Sequence, residues 1–115
     1  MKQVLQTISS LSSGFRVMSR TDAAVVLHID SAEHGGVIGP CVLEFQSPTH
    51  SWASEWMPEM NEWKDRPDFI APVEGRIDEA HVKVVGTRLK LSFAELREPP
   101  VRWGFTATSI TVQPA

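Results

Sequence analysis

The stretch Glu79-Ala80-His81-Val82-Lys83-Val84-Val85-Gly86-Thr87-Arg88-Leu89-Lys90-Leu91-Ser92-Phe93-Ala94-Glu95 decides how this chain folds. Apolar and polar residues alternate on both sides of Gly86-Thr87, the period of a half-buried strand. Glycine supplies the positive φ that a type II′ turn wants at its first central position. That turn sets Val85 opposite Arg88, Val84 opposite Leu89, Val82 opposite Leu91 and Ala80 opposite Phe93. Apolar meets apolar along one side, so pattern and turn agree on register. Val82, Val84, Leu89, Leu91 and Phe93 are therefore expected to form one buried face. On the other side Lys83 falls directly opposite Lys90, with Arg88 adjacent. Opposed like charges weaken a ladder. Either an acid such as Glu44 comes alongside, or the strip Lys83, Arg88, Lys90 faces an anionic partner.

Working outward, residues 15–20 and 24–30 read as a hairpin joined at Thr21-Asp22, with Val25, Leu27 and Ile29 on one side of the second strand. Residues 31–36 are polar and end in glycine, which reads as a turn. The next strand carries Cys41, Leu43 and Phe45 on one face. In the tail, Val101, Trp103 and Phe105 share one parity while Ile110 and Val112 have the other, so a bulge or sharp bend is expected near residues 107–109.

Residues 47–75 differ in kind. They hold Trp52, Trp56, Met57, Met60, Trp63 and Phe69 among Pro48, Pro58, Pro67 and Pro72. Proline interrupts regular pairing, and a short helix opening at Pro58 and ending before Pro67 is expected there. The resulting fold class is mainly β: a small single-domain β-sandwich or partly open barrel spanning residues 1–115, with one short helical or irregular insertion at about residues 47–75. Leu89-x-Leu91-x-Phe93 followed by Trp103-Gly104-Phe105-x-Ala107 is similar to the closing strands of CUB-type jelly-roll domains. No function follows from that likeness, because the cysteines and acidic calcium ligands of those domains are absent.

A chain of 115 residues with 42% hydrophobic content can bury one core. Its net charge of −3, with 11 basic residues spread along the chain, argues against a nucleic-acid partner. The one cysteine, Cys41, lies in an apolar context and reads as a buried strand residue. An unpaired thiol is easiest to keep in a reducing cytosol. The first residues are too broken by Gln3, Gln6 and Thr7 for a signal peptide, and no apolar run is long enough to span a membrane. Cytoplasmic localisation is the expectation.

Chemistry has few footholds. His28, Asp30, Glu33 and His34 lie close in sequence and contain metal-ligand residue types, but without the helical spacing of a zinc motif. Gly35-Gly36-Val37-Ile38-Gly39 lacks the Lys-Ser/Thr pair of a phosphate loop. No nucleophile elbow is present, and no metal or cofactor is assigned. The leading expectation is a non-enzymatic protein-interaction module, such as a small inhibitor or immunity-type protein, binding a larger protein through Trp52, Trp56, Met57, Met60 and Trp63. The first alternative is a small-ligand binder with a pocket lined by Trp52, Trp56 and Trp63. The second is a metal-dependent enzyme using His28, Asp30 and His34. An exposed edge strand would also offer a route to a homodimer.

Overall fold

The computed structural model describes residues 2–66 and 73–115. A helix, α1 (Lys2–Ser9), precedes strands β1 (Ser13–Arg20), β2 (Ala24–His34), β3 (Val37–Gln46), β4 (Thr49–Met57) and β5 (Glu62–Asp65). These are followed by β6 (Glu74–Ile77), β7 (Glu79–Val85), β8 (Arg88–Glu95), β9 (Val101–Ala107) and β10 (Ser109–Pro114). They make two antiparallel five-stranded sheets, the first ordered β10-β3-β2-β1-β6 and the second β5-β4-β9-β8-β7. The fold is a β-sandwich.

Strand alternation fills the space between the sheets. Val25, Leu27, Ile29, Cys41, Leu43 and Phe45 point inward from the first sheet. Leu89, Leu91, Phe93, Val101, Trp103 and Phe105 meet them from the second. Helix α1 packs against β7, β2 and β10, and its Ile8, with Leu11 just beyond, is buried in the same core. The sequence reading missed this helix, although Val4, Ile8 and Leu11 have its spacing.

The hairpin β7–β8 has the expected register: Val85↔Arg88, Val84↔Leu89, Lys83↔Lys90, Val82↔Leu91 and Ala80↔Phe93. Gly86 turns it with φ 61°. The buried face is shorter than expected. Leu89, Leu91 and Phe93 are enclosed and Val82 packs against the core, but Val84 is 60% exposed. Strand β7 is the sheet's edge, and Val84 sits beside the turn, past the cover of the first sheet. Glu44 is not the neighbour of the lysine pair; it lies in β3, paired with Val26 and Thr111.

The expected short helix after Pro58 is a four-residue loop instead. Met60 N–H donates to Met57 O and Asn61 N–H to Pro58 O; Asn61 then turns left-handed at φ 52° and the chain returns as β5. Tertiary pairing of β4 with both β5 and β9 overrides the local proline signal. The part of the insertion that holds Pro67, Phe69 and Pro72 lies outside the described residues. Residues 31–34, expected in a turn, extend β2 beyond an irregularity between Ile29 and Ala32. In the tail, the parity change marks a change of sheet: Ala107 closes β9 in the second sheet and Ile110 enters β10 in the first.

One acid is enclosed. Glu95 is 4% exposed, and its Oε2 has no hydrogen-bond partner among the described residues. Its Oε1 occupies the space that a side chain at position 75 would need, which Gly75 leaves free. Burial pushes the Glu95 carboxyl above its ordinary value, and nearby Asp78 adds to this. Arg97 chiefly opposes it.

Two outcomes follow from this packing. Leu91→Ala should cost roughly 2–5 kcal/mol, whereas Val84→Ala should stay within about 0.5 kcal/mol; denaturant melts of both variants check the depth of the core. For Glu95, a raised folded value means the native state holds its proton longer than the unfolded chain. Stability must then fall as pH rises through the interval above the ordinary glutamate value. Glu95→Gln should flatten that slope and raise the neutral-pH melting point. Identical pH profiles for variant and wild type would contradict the buried-acid assignment.

Candidate binding face

Strand β4 shows how three tryptophans come to share a surface. Ala53 pairs with Trp103 of β9 and points into the core. Strand alternation then sends Trp52, Ser54 and Trp56 to the outside. Strand β5 adds Trp63 opposite Trp56 and Asp65 opposite Ser54. All three rings are half-buried on the outer face of the second sheet. The sequence reading placed these rings in one proline-rich insertion; strand period and cross-strand pairing are what set them side by side.

Each ring has a support. Trp52 pairs across β9 with Gly104, where a Cβ would clash with the Leu91 carbonyl oxygen and come within 3.0 Å of the Trp52 ring. The absence of a side chain there lets the indole approach the backbone closely. Trp56 and Trp63 meet edge-to-face with centroids 5.5 Å apart, and the Arg102 guanidinium lies 3.8 Å above the Trp63 ring. A cation–π contact of this kind contributes about 0.5–2 kcal/mol. Trp52 Nε1 and Arg102 Nε are enclosed with no hydrogen-bond partner among the described residues. Met57 is half-buried at the end of β4, and Met60 is 61% exposed in the loop beyond it.

The same outer face continues across β9 and β8 to β7. The small residues Gly104, Ser92 and Thr106 occupy its middle, and Lys90, Lys83 and Arg88 its far side. The basic strip and the aromatic group, read separately from sequence, thus flank one surface. Arg88 is anchored by Nε to Thr106 Oγ1 at 3.0 Å and by Nη2 to the Ser47 carbonyl. Ser54 Oγ donates to Asp65 Oδ1 at 3.4 Å. The outer face of the first sheet is unlike this. Arg16, Val26, His28, Val42 and Glu44 alternate with the core residues there, and none is a tryptophan or phenylalanine.

The remaining candidates are dispersed. His28 Nδ1 lies 3.5 Å from Asp30 Oδ1 on that first sheet, but His34 Nδ1 is 2.7 Å from Thr7 Oγ1 of α1. The described residues contain no group of three or more metal-ligating side chains. Trp52, Trp56 and Trp63 stand on the outer face of the second sheet rather than at the mouth of the core. A small apolar cavity of about 70 Å³ does exist, lined by residues that include Ala32, His34, Val37, Cys41, Val112 and Pro114. Burial raises the Cys41 thiol above its ordinary value, which keeps it in the unreactive protonated form. The sequence held no sign that His34 and Cys41 share this wall. No helix among the described residues is long and apolar enough to cross a membrane.

No family model, no curated protein and no solved structure matches the chain.

The burial of the four indoles is directly measurable. Trp103 is 2% exposed, whereas the other three are half-buried. Acrylamide should quench wild-type fluorescence substantially, and a Trp52→Phe, Trp56→Phe, Trp63→Phe variant should retain only a blue-shifted, protected emission. Strong quenching in that variant would place Trp103 outside the core.

Proposed function

We propose that this chain is a non-enzymatic protein-interaction module, of inhibitor or immunity type, that docks a larger protein on the outer face of its second sheet. The observation that carries this reading is the segregation of the indoles. Trp103 fills the core, while Trp52, Trp56 and Trp63 gather on one outward face.

Tryptophan, arginine and methionine are the side chains most enriched at protein interfaces, and hot spots concentrate on tryptophan and arginine. Trp56, Trp63 and Arg102 form such a group, braced by their mutual contacts before any partner arrives. Pre-bracing lowers the entropy lost on docking. Met57 and the exposed Met60 would extend the contact toward the β4–β5 loop, where an unbranched side chain adapts to a partner's contour. The inhibitor or immunity character rests on an analogy of size and charge. The cytoplasm suits the unpaired Cys41.

The test is comparative. A partner retained by the immobilised wild-type chain is identified by mass spectrometry, purified and titrated against variants. Trp56→Ala and Trp63→Ala should each weaken binding by about 2 kcal/mol or more, roughly thirtyfold in Kd. Thr111→Ala, exposed on the first sheet, should leave it unchanged. Equal affinity for wild type and both tryptophan variants would sink the reading.

A further inference from the structure

We infer that the partner meets this face with an acidic protein surface, its carboxylates lying against Lys83 and Lys90 and its apolar side chains against the tryptophans. The inference rests on the docking reading above and adds the chemistry of the occupant.

The charge distribution carries it. Lys83 and Lys90 are directly paired across β7 and β8, which puts like charges face to face at a cross-strand distance where they repel. Among the described residues neither has an ion pair. Arg88 is bound to neutral acceptors, Thr106 and the Ser47 carbonyl. Arg102 rests on a ring. Among the described residues, four cations on one face are thus left without a carboxylate. Among the described strand residues of that face the acids are Asp65 and Glu79, on its opposite edge strands, Asp65 with Ser54 and Glu79 beside His81 at 3.9 Å.

Elsewhere this fold does pair its charges: Arg66 with Glu55 at 3.1 Å and Arg76 with Asp78 at 3.1 Å. General basicity does not explain the strip either, because the chain has 14 acids against 11 basic side chains. A self-repelling pair kept in a net-negative chain is relieved when an opposite charge arrives. Such complementarity steers encounter and fixes orientation. A nucleic acid would also supply negative charge, but its affinity grows with the number of phosphates neutralised, and the strip offers few cations to neutralise them. Carboxylates interspersed with apolar groups match both halves of the face.

Because three tryptophans line the face, their fluorescence reports occupancy. Three probes are titrated at low ionic strength: a peptide alternating glutamate with leucine, its glutamine–leucine counterpart, and oligothymidylate. The acidic peptide should shift or quench the emission, and its affinity should fall roughly tenfold between about 20 and 200 mM salt. A Lys83→Glu, Lys90→Glu variant should lose roughly tenfold or more in affinity. The milder Lys83→Gln, Lys90→Gln variant should lie between it and wild type, which guards against misfolding. No response to the acidic peptide, or an equal response to the glutamine peptide, overturns the inference. Tighter binding of oligothymidylate with the same lysine dependence overturns it in favour of a nucleic acid. If the lysine variants bind the acidic peptide like wild type while Trp56→Ala does not, the acidic occupant falls and the docking reading stands. If neither substitution matters, both fall.

Discussion

The two sheets are held together by a cluster of aromatic rings that crosses the gap between them. Phe15 and Phe45 come from the first sheet, and Phe93, Trp103 and Phe105 from the second. Phe45 meets Phe105 at 5.2 Å and Phe93 at 6.1 Å, both edge-on, while Phe15 lies 5.7 Å from Trp103. Phe93 and Trp103 are 4.6 Å apart on neighbouring strands. Each ring removes some 150–250 Å² from water, and such pairs add about 0.5–1.5 kcal/mol beyond burial. Keeping these rings enclosed fixes which residues of β1, β3, β8 and β9 point inward and which point outward.

That constraint has a consequence for the opposite side of the second sheet. Strand β9 cannot point Trp103 and Phe105 inward without pointing Arg102, Gly104 and Thr106 outward. Strand β4 pairs Ala53 with Trp103, so its Trp52 and Trp56 must also face out. An inward indole at position 52 or 56 would require a one-residue slip that turns Ala53 and its partners away from the core. The outer rings are therefore tied to the inner ones by register. Arg102 and Gly104 lie between them, one covering the face of Trp63 and the other leaving room for Trp52.

The same logic separates two placements of charge in this molecule. Glu95 ends β8 with its carboxyl inside the sandwich, where loss of water raises the free energy of the charged form. Lys83 and Lys90 end outside, where water screens them and their mutual repulsion is tolerable. A sheet with one enclosed face and one open face can carry both, and only the open face is available to a partner.

Much of the architecture was legible in the residues themselves. Alternation and the Gly86-Thr87 turn determined the β7–β8 pairing, and period 2 determined the inward sets of β2, β3 and the start of β9. These are local properties, since strand period and turn chemistry need only a few neighbouring residues. The parity change after Ala107 was legible as a break but not as a change of sheet. The insertion was misread because Pro58 carries a strong local signal, while the pairings of β4 with β5 and β9 arise from residues far along the chain. The exposure of Val84 depends on where the opposing sheet stops, which no window of sequence contains. Composition singled out the tryptophans and the lysines as two separate oddities. Only the tertiary structure decided that they flank one surface, because strands distant in sequence become adjacent when the aromatic core must be closed from both sides.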